Sequence, residues 1–216
     1  QIPRGVLLTG PPGTGKTLIA RAIAGESGVN FLWCSAADFD EIYVGTGSRR
    51  IRDLFQDARS KAPCIIFIDE IDALGKRNQV YGNSSRNTIN SILVEMDGFQ
   101  SSDAVMVMAA TNFPDLLDEA LTRPGRFDYQ LALRAPDYEG RVKLFQHYIN
   151  KVKHDGKIDA ERLASAIMGA TGADIKTIVN NAAVRAAARN SKTITHEDVE
   201  ESQEQFVMGV KITTKA

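Results

Sequence analysis

The 216-residue chain carries 26 basic and 27 acidic side chains, a formal net charge of −1, and 43% hydrophobic residues. That balance is ordinary for a globular chain of one domain or two small ones, and it excludes a global field for nucleic acid or an anionic membrane surface. Two cysteines with no metal spacing exclude a disulfide framework, and no apolar run approaches the roughly 18–20 residues of a membrane span.

In chain order, the apolar run Val6-Leu7-Leu8 predicts a strand, and Leu18-Ile19-Ala20 opens a helix through Ala24. Between them lies Gly10-Pro11-Pro12-Gly13-Thr14-Gly15-Lys16-Thr17. Gly25 to Gly28 punctuates, and Phe31-Leu32-Trp33-Cys34 predicts a second strand. Asp38 to Gly47 reads as a loop. Ile51, Leu54, Phe55 and Ala58 then recur at helical spacing to about Ala62, where Pro63 ends the helix. Cys64 to Ile68 is continuously apolar, as a strand buried on both faces must be. A short helix begins at Ile71-Asp72-Ala73-Leu74, and Gln79 to Ser85 reads as a loop. Ile89, Ile92, Leu93 and Met96 stripe a further helix ended by Gly98.

Val105 to Ala110 predicts the fourth strand, Leu116 to Leu121 a helix, Arg123-Pro124-Gly125-Arg126 a turn, and Tyr129 to Leu133 an edge-like fifth strand. Beyond Pro136 the strand signal stops. Helices are expected around Val142 to Ile149, Leu163 to Ile167 and Ala173 to Ala188, with Thr195-His196-Glu197-Asp198 capping a last one. The switch from alternating strand and helix to helix alone places a boundary near Ala135-Pro136-Asp137. The expectation is an αβα domain over 1–135, a helical domain over 136–210 and a tail over 211–216. Cys34 and Cys64, each inside an apolar run, read as small buried hydrophobes of a reducing compartment.

The chemistry follows from residue types at these junctions. A glycine-rich turn between strand and helix can point backbone N–H groups inward, and the helix start adds partial positive charge. In that setting Lys16 faces the β- and γ-phosphates of a nucleotide and the Thr17 hydroxyl binds Mg²⁺. Asp69-Glu70 ends the buried strand on the side where ligands bind open α/β sheets. Asp69 suits Mg²⁺, largely through water, and Glu70 suits the activation of a water that attacks the γ-phosphate. Asn112, ending the next strand, can position the same water, although alone it reads as a turn residue. Arg123 and Arg126 flank a Pro-Gly turn suited to reaching a neighbour's phosphates, although two solvated loop arginines is the simpler local reading. Tyr43, from local composition, is as readily a satellite core residue as an exposed functional aromatic.

Taken together, Gly10–Thr17, Ile65–Glu70, Ala109-Ala110-Thr111-Asn112 and Thr122 to Asp128 resemble an AAA+ ATPase of the AAA clade. The resemblance spans nearly the whole chain. It implies a P-loop αβα sandwich on a parallel five-stranded sheet, a small all-helical lid, Mg-ATP hydrolysis and a homo-oligomeric, usually hexameric, ring. It further implies that Arg123 and Arg126 act in trans, that Asn112 is a sensor, and that Pro12, Gly13, Thr14, Gly15, Lys16, Thr17 and Leu18 line the nucleotide. Tyr148 and the pair Gly172-Ala173 are implied near adenine and ribose.

Asp53-Leu54-Phe55, Leu93 to Phe99 and Tyr43-Val44-Gly45 resemble the FtsH-type membrane proteases. Asn112-Phe113-Pro114, Leu121-Thr122-Arg123 and Tyr148 to Lys151 look most like their mitochondrial i-AAA group. The resemblance makes Tyr43, Val44 and Gly45 a pore loop gripping unfolded polypeptide and Asp97, Gly98 and Phe99 an intersubunit signalling segment; Tyr81-Gly82 reads as a candidate second pore contact. It implies a parent protein at the mitochondrial inner membrane, anchored by segments outside this sequence, with zinc only in a peptidase domain also outside it. No H-E-x-x-H occurs here, and Phe206-Val207-Met208-Gly209 resembles the linker into that domain. The rival readings are a non-proteolytic remodelling chaperone of the same family, a non-hydrolysing nucleotide switch, disfavoured by Glu70 and both arginines, and a nucleic-acid motor, disfavoured by the near-neutral charge; among the proteases the competitors are the m-AAA group and bacterial FtsH.

Overall fold

In the computed structural model, residues 4–39, 46–75, 84–100 and 103–213 are described. Five strands form one parallel sheet: β1 (Gly5–Thr9), β2 (Asn30–Ser35), β3 (Cys64–Asp69), β4 (Val105–Thr111) and β5 (Tyr129–Ala132). Their spatial order is β2-β3-β4-β1-β5, with every neighbouring pair parallel. Helices α1 (Lys16–Ser27), α2 (Thr46–Ser60), α3 (Asp72–Gly75) and α4 (Ser84–Asp97) belong to the same unit.

The central strands are apolar because both of their faces are covered. Ile65, Phe67 and Val6, Leu8 pack with Ala20 and Ala24 of α1 on one face. Ile66, Ile68 and Val107 pack on the other with Ile51, Phe55, Ile92 and Met96 of α2 and α4. Small alanines on α1 let that helix lie close to the sheet, which brings its N-terminus to the strand ends. β5, by contrast, is exposed at all four residues and forms one edge of the sheet.

Leu116 to Leu121 departs from the expected helix. Two short 3-10 turns stand there, Pro114–Leu116 and Glu119–Thr122. Leu117 and Asp118 are extended between them, and the Asp118 carboxylate accepts from Ala120 N–H, restarting the chain as a separate turn. The residues expected as a loop before Gly47 likewise hold a 3-10 turn, Ala36–Phe39, and α2 already begins at Thr46.

The second unit runs from Arg134 onward and includes Pro12–Gly15. It contains α5 (Tyr138–Ile149), α6 (Ala160–Ser165), α7 (Gly172–Ala188) and α8 (His196–Thr213). Val142, Phe145, Leu163, Ile175, Ile178, Val179 and Val199 form its own apolar core. Each helix start is capped: Asp137 accepts from Gly140 N–H, Asp159 from Glu161 and Arg162, and Thr171 and Asp174 form a reciprocal capping box. Thr195 and Asp198 make the same exchange at α8, and Asp198 also pairs with Arg189. That helix continues through Thr213, into the stretch read as tail. No helix among the described residues is long and apolar enough to cross a membrane.

Candidate active site

The glycine-rich turn leaves β1 through Gly10, whose φ of 139° lies outside the range of ordinary side chains. A Cβ there would sit 2.0 Å from the Leu133 carbonyl oxygen, since Leu133 N–H continues the ladder on Thr9 at 2.7 Å. Gly13, at φ 77°, is constrained differently. Its carbonyl accepts from Ala173 N–H at 3.3 Å inside the second unit, and an added Cβ would lie 2.7 Å from the Ala173 Cβ. Gly172 and Ala173 open α7, and Tyr148 is half-buried on α5 with the Lys151 ammonium 5.6 Å from its ring centre.

Lys16 is the first residue of α1 and only 8% exposed. Its Nζ donates to the carbonyls of Gly10 at 2.7 Å and Pro11 at 2.9 Å, so the turn satisfies its own cation. Burial pushes the Lys16 ammonium below its ordinary value, while the Asp69 and Asp72 carboxylates pull it back up. The next hydroxyl, Thr17 Oγ1, donates to Asp69 Oδ2 at 2.9 Å. This bond joins the foot of α1 to the end of β3 and brings together the two oxygens expected at Mg²⁺. A hydroxyl and a carboxylate side by side suit a hard, oxygen-seeking cation that keeps several waters and phosphate oxygens. Among the described residues no group of three or more His, Cys, Asp or Glu could hold a metal alone, so such an ion would take its remaining ligands from nucleotide and water.

Glu70 follows in the left-handed region, at φ 53°, with its N–H donated to Asp69 Oδ1 at 3.0 Å. Its carboxylate is exposed and makes no hydrogen bond or ion pair among the described residues. A non-glycine residue held at positive φ marks a place where the surrounding structure overrides local preference. Asn112 stands half-buried just past β4, the strand beside β3. Two residues outside the expected set link these ends. Asp72, 7% exposed, accepts from Thr111 Oγ1 at 2.7 Å, and Thr111 Oγ1 accepts from Phe113 N–H at 2.9 Å. The sequence signals for them were a third acid just past Asp69-Glu70 and a hydroxyl ending a buried strand.

The two arginines differ. Arg126 is engaged at home: Nε and Nη2 donate to the two oxygens of Asp97 at 3.1 and 2.9 Å, and Nη1 donates to the Ala120 carbonyl at 2.8 Å. The guanidinium holds the Asp97 carboxyl below its ordinary range, chiefly through this hydrogen bond. Arg123 is exposed, and its side chain has no polar partner among the described residues. Gly98 follows α4. Phe99 is 5% exposed, packed at 5.6 Å on Phe55 and beneath the Arg59 guanidinium at 5.7 Å, so its ring belongs to the core of its own unit. Thr14 and Gly15 complete the turn, and Leu18 is 66% exposed on α1. Tyr43, Val44 and Gly45, and also Tyr81, lie outside the described residues.

Comparison with known proteins matches the chain to two family models. Residues 6–135 match the ATPase family associated with various cellular activities (AAA), and residues 157–201 match the AAA+ lid domain. The chain is 46% identical over 211 residues to the ATP-dependent zinc metalloprotease YME1L1 of Mus musculus, covering 97% of this chain and 30% of that protein. It is 49% identical over 215 residues to the ATP-dependent zinc metalloprotease FtsH of Rickettsia bellii, covering 98% and 34%. To the YME1 homolog of Caenorhabditis elegans it is 50% identical over 212 residues, covering 97% and 29%. The chain thus spans about a third or less of the length of these relatives. With a family match over more than half of its length, it belongs to the AAA family of ATPases.

Proposed function

We propose that this chain is the ATP-hydrolysing motor of a longer protease, in which a homohexameric ring threads unfolded polypeptide past Tyr43, Val44 and Gly45 toward a zinc peptidase domain. The relatives named as ATP-dependent zinc metalloproteases support that parent, and the resemblance of Asn112-Phe113-Pro114, Leu121-Thr122-Arg123 and Tyr148 to Lys151 to the mitochondrial i-AAA group is the ground for an inner-membrane site and a role in protein quality control. The observation that carries the ATPase reading is the Thr17–Asp69 bond, which joins the glycine-rich turn to the acidic strand end.

In this reading Lys16 exchanges its carbonyl partners for β- and γ-phosphate oxygens, and the turn's N–H groups hold the rest. Thr17 and Asp69 would hold a Mg²⁺ ion, whose chemistry there would be the neutralisation of phosphate charge. Glu70 takes a proton from the attacking water, Asn112 orients that water, and Arg123, with Arg126 beside it, meets the phosphates of the adjacent copy. Gly172, Ala173 and Tyr148 contact the base and ribose. Asp97, Gly98 and Phe99 relay the state of one copy to the next.

The test uses the assembled ring of the parent protein. Glu70→Gln is expected to keep ATP binding and lose at least about a hundredfold in turnover. Tyr43→Ala is expected to keep much of the ATPase and lose unfolding of a tagged substrate. Wild-type turnover in the first variant would remove Glu70 from its role, and an unchanged unfolding rate in the second would remove the pore loop.

A further inference from the structure

We propose that Asp72 and Thr111 form a positioning pair that sets Glu70 and Asn112 relative to each other, governing the rate of hydrolysis while leaving nucleotide affinity unchanged. The inference rests on the roles given to Glu70 and Asn112 above. Neither Asp72 nor Thr111 is needed to touch the reacting atoms, because each is committed to the other at 2.7 Å.

The hydroxyl inventory makes the link specific. Thr111 has one proton, which it donates to Asp72 Oδ1, and it accepts from Phe113 N–H at 2.9 Å. The second bond closes a tight turn around Asn112, the residue it spans. On the other side, Asp72 opens α3 directly after Glu70 and Ile71. Ile71 N–H donates to Ala110 O at 3.0 Å, and Ala73 N–H donates to Glu70 O at 2.8 Å. Glu70 at φ 53° is therefore held on its C-terminal flank, where Ile71 and Asp72 both tie back to the end of β4. Thr111 is 1% exposed and Asp72 7%, so water does not substitute readily for either partner. A hydroxyl and a carboxylate here form a cross-brace between the two strand ends that carry the water-handling groups.

Thr111→Val preserves shape and removes both hydrogen bonds; Thr111→Ser preserves both bonds. The assays are steady-state kcat and KM for ATP on the assembled ring, Kd for a fluorescent ADP analogue, and melting temperature. For Thr111→Val we expect kcat to fall roughly a hundredfold, as misplacement of catalytic groups by about 1 Å does. KM and Kd should stay within about threefold, and Thr111→Ser should recover most of kcat. Thr111→Ala serves if the valine variant does not fold. Wild-type kcat in the disrupted variant, a parallel loss of affinity and rate, or no recovery in Thr111→Ser would overturn the pairing. Glu70→Gln in the same assays separates the two ideas: its normal turnover would remove the proposed base, and that outcome does not depend on any result at Thr111.

Discussion

Arg126 and Asp97 show how a single side chain can have a local partner and a proposed distant one. The guanidinium is held by a two-pronged bond to a carboxylate at the end of α4 and by the Ala120 carbonyl. Because the folded Asp97 value is lowered, the pair stabilises the fold at neutral pH and loses that contribution as pH falls through the lowered value. Asp97 is half exposed, so the contribution is small. Titration followed by NMR should place the Asp97 midpoint below that of an ordinary aspartate, and Arg126→Ala should move it upward. An unmoved midpoint would mean the pair is absent in solution. None of this was legible beforehand, since the two residues lie in different elements and share no spacing pattern. The Arg123-Pro124-Gly125-Arg126 turn itself was legible, because proline and glycine announce it.

Among the elements, β3 was the most readable and the segment after β4 the least. Cys64 to Ile68 is apolar without interruption because helices cover both of its faces, and the structure buries every one of those residues. Replacing Ile66, fully buried, by alanine should cost about 2–5 kcal/mol in chemical denaturation, through lost transfer energy and a cavity the neighbours only partly fill. A loss below 1 kcal/mol would mean the sheet repacks. The residues 114–122 misled because leucines at helical spacing outweighed the tendency of Pro114 and Asp118 to begin new turns. Asp72 and Thr111 escaped for a related reason. They are joined by a bond from the end of β4 to the start of α3, across the whole of α4 in sequence, and periodicity carries no information about such distant partners.

At the scale of the molecule, the candidate site gathers Lys16 and Thr17 at the start of α1 with Asp69, Glu70 and Asn112 at the ends of β3 and β4, and leaves Arg123 without a partner among the described residues. If the missing cation comes from another copy, two defective chains can repair each other. Arg123→Ala keeps the Glu70 carboxylate and Glu70→Gln keeps the arginine. Each alone should be nearly inactive, and assembled mixtures should recover ATPase at the interfaces where one supplies what the other lacks. A mixture no more active than its components would place Arg123 outside the neighbouring site. Motifs made the cradle and the acidic strand end readable, because their chemistry is local in sequence. The proposed assembly rests on resemblance, because one chain's composition does not encode its neighbour.

The left-handed turn at Glu70 carries a consequence for how this protein responds to selection. Glycine at that position would relieve strain worth roughly 1 kcal/mol, partly offset by its greater freedom in the unfolded chain. Glu70→Gly should therefore raise the melting temperature, read by calorimetry, while, on the role proposed for its carboxylate, abolishing turnover. A library screened for thermal tolerance alone would drift toward that dead enzyme. Only a screen that also demands hydrolysis would keep the carboxylate, at the expense of the hardier fold.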